Sequence, residues 1–110
     1  MTVVQATCGI GPRAGRTAAI FAPPSPADLP DLDAARAFRF DGDAGFCLHL
    51  GTWHEFPFPL VDDTDVIVVI SSQTSQDLRQ RTANGIEAFG PDLDKKDITL
   101  RHRTVIELEL

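Results

Sequence analysis

Four prolines fall within eleven residues, PPSPADLPDLD, from Pro23 to Asp33. Proline lacks a backbone N–H and fixes φ, so neither a helix interior nor a central strand accommodates such a run. The segment reads as an ordered or semi-extended surface connection whose aspartates cap a short turn before AARAF. Further breaks stand at GIGPRAG, a loop by its glycine and proline content, at DGDAG, a tight turn, and at PFPL, an edge or a bend. What lies between them is short, and short pieces with regular turns favour strands.

The pieces agree. TVVQA is a short β-rich run and RTAAIFA (Arg16 to Ala22) a strand. AFRF alternates, with Phe38 and Phe40 on one face and Arg39 on the other. FCLHLGTWHEF resumes as a strand, Phe46, Leu48 and Leu50 on one face, Cys47 and His49 on the other, with Gly51 bending or bulging it. VIVVI (Val66 to Ile70) is apolar on both faces, as in the wall of a sandwich or barrel. SSQTSQDLRQRTANG suits a helix near Ser75 to Ala83, with a Ser or Thr N-cap and Gly85 at its end. LDKKDI is expected to add one more helical turn, and TVIELEL a closing strand. The fold class expected is mainly β: an antiparallel barrel or sandwich with one or two short helices, in a single domain spanning residues 1–110.

Composition removes several function classes. The chain carries 10 basic and 16 acidic residues, a net charge of -6. No Lys/Arg patch is visible to neutralise phosphates, so no nucleic-acid partner is expected. The apolar run VIVVI is far too short to span a bilayer, and MTVVQATCGIG lacks the charged and apolar regions of a signal peptide. A soluble cytoplasmic protein is the default. Cys8 and Cys47 form no CxxC pair; two buried free thiols are favoured over one disulfide.

The chemically dense stretch is HLGTWHEFPFPL, His49 to Leu60. Imidazole beside carboxylate suits a divalent metal, or an acid/base pair working near neutral pH. His49 and Glu55 share a face of a straight strand; a bulge at Gly51 puts His54 with His49 instead. The stretch is not an H-E-x-x-H signature. Each residue also has an ordinary use: a strand histidine is most often structural, Trp53 core, Glu55 solvated. Asp62, Asp63 and Asp65 lack the spaced glycine and terminal glutamate of a calcium loop and read as turn and capping residues. His102, between Arg101 and Arg103, reads as surface charge near a strand start.

APPSPADLPDLDAARAFRFDGDAGFCLHLGTWHEFPFPLVDDTDVIVVIS resembles the second half of the ureidoglycolate lyase (ureidoglycolate hydrolase) family. An apolar strand, a Pro/Asp-rich link ending PDL, an RAF strand, DG..G, LH.GTWH, a proline-broken segment and TD before an apolar strand occur in that order. GTWH is the most specific of these. Residues 22–71 carry the match, the tail with LDKKDI and ELEL is similar to some members, and residues 1–15 are unmatched. The resemblance implies a cupin-like β-barrel and a carbon–nitrogen lyase of allantoin and purine catabolism. Its substrate is ureidoglycolate, or a related small hydroxy acid, and its products are urea and glyoxylate. It implies roles for His54, His49 and Trp53; with them, Glu55 is an expected catalytic residue beside His54 and His49, and Arg39 an expected substrate-binding residue beside Trp53. By their imidazole and carboxylate chemistry, His49, His54 and Glu55 are the expected holders of a divalent Mn, Ni or Zn ion. His54 matches the histidine of the second cupin motif.

Three departures stand against the family pattern. Glu55 replaces the second histidine after GTWH, Ile70 and Ser71 replace an Asp-Arg pair, and no histidine precedes His49. The absent arginine would be a natural carboxylate anchor. Two readings follow: a ureidoglycolate lyase-like enzyme, or a catalytically silent cupin-like module kept for binding or assembly. Convergence of His49, His54 and Glu55 in a pocket discriminates them. Half a barrel leaves a sheet edge open, so a homodimer is expected, with VIVVI and TVIELEL at the shared face and the partner's Arg36 or Arg39 supplying positive charge.

Overall fold

The computed structural model describes residues 6–9 by their backbone, and residues 15–80 and 85–109 in full. The chain divides into two compact units, Thr2–Ile70 and Ser71–Leu110. All strand pairing among the described residues is antiparallel.

In the first unit the centre of one sheet is β2 (Thr17–Ala22). β3 (Arg36–Phe40) lies along one side of it; β5 (Trp53–His54) and β6 (Phe58–Pro59) share the other. Ala18, Ala19 and Ala22 are buried on it, small enough to let neighbours close over both faces. A second sheet has the order β4-β1-β7, with β1 (Ala6–Gly9) between β4 (Gly45–Cys47) and β7 (Val66–Val69). Phe46 of β4 joins the two sheets. Its ring lies 5.0 Å from Phe21, edge-on, and 4.9 Å from Phe40, while Phe21 lies 5.5 Å from Phe38. Each such aromatic pair is worth about 0.5–1.5 kcal/mol beyond the area it buries.

The expected β class is therefore present, as two open sheets; among the described residues no barrel closes. The Pro/Asp connection is irregular as expected, with one 3₁₀ turn at Leu32–Ala34 capped by the Asp31 carboxylate. FCLHLGTWH is not one strand. It breaks after Cys47, and Thr52 N–H donates to the His49 carbonyl at 3.1 Å, so His49 opens a turn. Gly51, at φ +81, takes the third position, where a type II turn needs a left-handed residue. VIVVI is a strand but not a doubly buried one: Ile67 and Val69 are 41% and 57% exposed. Cys47, on an edge strand, is free and exposed rather than buried. The side chain of Cys8 lies outside the described residues.

In the second unit, helix α1 (Ser72–Asp77) starts at an N-cap, Ser71, which accepts from Thr74 N–H. It begins three residues earlier than Ser75 and is over by Leu78; residues 81–84 of the expected helix lie outside the described residues. Asp77 is fully buried and accepts from Gln73 Nε2 and Asp92 N, both at 2.8 Å. Gly90 lies against that carboxylate so closely that any Cβ would collide with it. LDKKDI is not a helical turn: Leu93–Lys95 is β9, paired with β8 (Ala88–Gly90), and α2 (Ile98–His102) begins behind the N-cap Asp97. His102 is accordingly helical, and its Nε2 is buried without a hydrogen-bond partner rather than a surface charge. Residues 104–109 of TVIELEL form no strand, against the closing strand expected.

Glu87 clamps this unit. Arg101 donates to both its oxygens at 2.9 Å, and Asp97 N–H donates at 3.1 Å. These bonds favour the carboxylate, the Arg101 bond most, and lower the Glu87 pKa from 4.5 to about 2. A depressed carboxylate pKa stabilises the fold fully above the unfolded value and loses that contribution as pH falls toward about 2.

Two outcomes are expected. The melting temperature should fall between pH 5 and pH 2 more steeply in the native sequence than in Glu87→Gln; parallel curves by circular dichroism would remove the clamp from the acid response. Phe46→Ala should destabilise by about 2–4 kcal/mol in urea unfolding, against no more than about 0.5 for Phe89→Ala, whose ring is 70% exposed.

Candidate functional site

Residues directly opposed in an antiparallel ladder project to the same face of the sheet. β2 opposes Phe21 to Arg36 on one side and to His54 on the other, and Ala22 to Trp53. Arg36, Phe21 and His54 therefore form one row on one face. That face also carries Phe38 and Phe40, opposed to Ala19 and Thr17, and Phe46 packs on it. Trp53 belongs to the opposite face. So does Arg39, which is opposed to Ala18.

The dense stretch thus divides. His54 and Trp53 do not line a common pocket, because consecutive strand residues point apart. His49 is exposed at the head of the turn, off the strand. Glu55 is exposed, and its Oε1 accepts from the adjacent Phe56 N–H at 2.8 Å. Among the described residues no three His, Cys, Asp or Glu side chains are grouped to hold a metal ion. The set His49, His54 and Glu55 accordingly does not fit a divalent Mn, Ni or Zn ion within this chain. A shallow cavity of about 570 Å³ in the second unit is lined by Leu100, Arg103 and Val105 among others, and by none of these residues.

His54 is the best prepared of the candidates. Its Nδ1 lies 2.9 Å from the Thr52 carbonyl oxygen, which can only accept, so Nδ1 carries the proton. In the neutral ring Nε2 is then the bare nitrogen, a base with an unshared pair. The turn closed by Gly51 makes this geometry: it reverses the chain just before Thr52, and β5 then pairs His54 to Phe21. A Cβ on Gly51 would come within 3.2 Å of Pro24, so the proline link packs directly under the turn.

Arg36 was weighed from sequence only as a residue donated by a second chain. Its Nη1 donates to the carbonyls of Asp33 at 3.0 Å and Ala35 at 2.7 Å, which neutralise none of its charge. No carboxylate pairs with it among the described residues. The signal that finds it is the pairing register, which the spacing of its neighbours in sequence does not contain.

A family model described as ureidoglycolate lyase matches residues 4–87. The chain belongs to the ureidoglycolate lyase family. The match takes in β1 through β7 and α1 and ends at Glu87, so most of residues 1–15 fall within the family and the β8–β9 hairpin and α2 lie beyond the matched span. No match was found among curated proteins or solved structures. No helix among the described residues is long and apolar enough to cross a membrane.

The tautomer is directly measurable. Nitrogen-15 spectra of the histidine rings should show Nδ1 of His54 protonated in the neutral form. A dominant Nε2–H signal would take away the bare nitrogen on which the site depends.

Proposed function

We propose that the chain is a ureidoglycolate lyase-type enzyme that splits ureidoglycolate, or a closely related hydroxy acid, into glyoxylate and urea. Support comes from the family match together with one observation, the His54 ring held by Thr52 with Nε2 left bare. The reaction asks little beyond a proton carrier. Nε2 takes the proton of the substrate hydroxyl. The oxygen's electron pair closes the carbonyl as the carbon–nitrogen bond breaks. The departing ureido nitrogen then takes the proton back from His54, giving urea. One proton moves from oxygen to nitrogen and His54 ends as it began, so base and acid are the same group. Glu55 and His49, separated from His54, carry no step in this scheme, and none is routed through a metal.

The competing reading, a silent cupin-like binding or assembly module, is favoured by one fact: His49, His54 and Glu55 do not converge. Under either reading we infer a homodimer. β7 has one edge unpaired among the described residues and presents Ile67 and Val69 to solvent, as an edge completed by a second copy would.

Purified protein incubated with ureidoglycolate should release glyoxylate and urea in equal amounts, with no requirement for added Mn²⁺, Ni²⁺ or Zn²⁺. His54→Gln should lower kcat by roughly 100-fold or more, the usual cost of losing a general base. Full activity in that variant would remove His54 from the mechanism. No turnover by the native protein under any condition would leave the silent module standing.

A further inference from the structure

We infer that Arg36 binds the carboxylate of a small 2-hydroxy acid, across Phe21 from His54 on the same sheet face. The inference rests on the reading of His54 as the base and adds the group that orients the substrate toward it. Its ground is the row set by the register: Arg36 opposed to Phe21, and Phe21 opposed to His54. Two strand spacings separate the outer members, roughly 10 Å between backbones. A two-carbon hydroxy acid with one hydrogen bond at its hydroxyl and one at its carboxylate spans roughly 8 Å between the protein atoms holding it. That spacing suits a ligand of this size held between the two side chains, beside the Phe21 cluster.

The arginine is prepared for the role. With Nη1 committed to the Asp33 and Ala35 carbonyls, the guanidinium is pinned at the end of the sheet while Nε and Nη2 keep three donors. Those donors form the planar fork that carboxylates accept two at a time. The family's arginine after TD is replaced here by Ser71, and Arg39 lies on the other face of the sheet, so neither competes for this position. Phe21, Phe38 and Phe46, touching one another or linked through Phe21, give the floor an apolar character that strengthens a charge contact made above it.

The test is a titration of the native full chain with glycolate and with its neutral amide, glycolamide, read on the His54 ring signals by NMR. Glycolate should shift those signals and bind more tightly than glycolamide. Arg36→Gln should raise the glycolate Kd by roughly 10- to 100-fold, the worth of a charge-assisted pair, and leave glycolamide binding as it was. Arg36→Lys should recover only part of the loss, since it keeps the charge without the fork. Arg79→Gln, which removes the same charge from the other unit, should change nothing. An unchanged glycolate Kd in a folded Arg36→Gln, or glycolate binding no tighter than glycolamide in the native chain, overturns the inference. If Arg36→Gln fails to fold, the Arg36→Lys comparison decides: a glycolate Kd equal to the native one overturns it. Arg36-dependent glycolate binding without ureidoglycolate turnover would keep the anchor and defeat the lyase reading. Turnover with no Arg36 dependence would do the reverse.

Discussion

Arg36, Arg39, Trp53 and His54 take their positions from the backbone pairing of β2. This six-residue strand, TAAIFA, is poor in large groups where it is most enclosed: Ala18, Ala19 and Ala22 are buried and let β3, β5 and β6 crowd along it. Its register places Phe21 between Arg36 and His54. A shift of one residue in either ladder would send its outer member to the opposite face, because side-chain direction alternates along a strand. The chemistry of the site is therefore hostage to hydrogen bonds that none of its side chains makes.

The second constraint is a shortage of interior. The buried apolar side chains among the described residues are four alanines and two prolines, Pro30 and Pro57, whereas Phe38, Leu50, Phe56, Val61, Val69 and Phe89, among others, stay substantially exposed. Cohesion in the first unit falls to the half-buried Phe21, Phe40 and Phe46, packed where the two sheets meet. The second unit relies on charge and hydrogen bonding: the buried Asp77 carboxylate held by Gln73 and Asp92, and Glu87 held by Arg101. Buried carboxylates persist only where such donors meet them, and Gly90 is small so that one of them can approach. The exposed apolar groups give assembly with a second copy a physical motive.

Local chemistry made much of this legible. The proline-rich link, the strand Thr17–Ala22, the alternating strand Arg36–Phe40, the strand Val66–Val69 and the serine N-cap of α1 each follow from residues within a few positions of one another. So did the family, carried by GTWH and the order of motifs around it, with a matched span that reaches further toward the N-terminus than those motifs do. Boundaries were less legible where two local rules competed. Gly51 reads as a bend or bulge, and it is the left-handed position of a turn that takes His49 off the strand. LDKKDI is expected as a helical turn, yet its Leu93–Lys95 pairs with β8 instead. TVIELEL alternates as a strand should, yet alternation specifies only which face is apolar and leaves the partner unnamed.

The sequence by itself determined the class of the fold, most of its turns and its family, because each depends on backbone preferences or motifs that are contiguous in the chain. Only the tertiary structure decided which residues stand together. It separated His54 from Trp53, His49 and Glu55, its neighbours in sequence, and set it in a row with Phe21 and Arg36, 33 and 18 positions earlier in the chain. The physical reason is that adjacent strand residues must point to opposite faces, while cross-strand neighbours are chosen by pairing register, a property of two segments at once that neither carries alone.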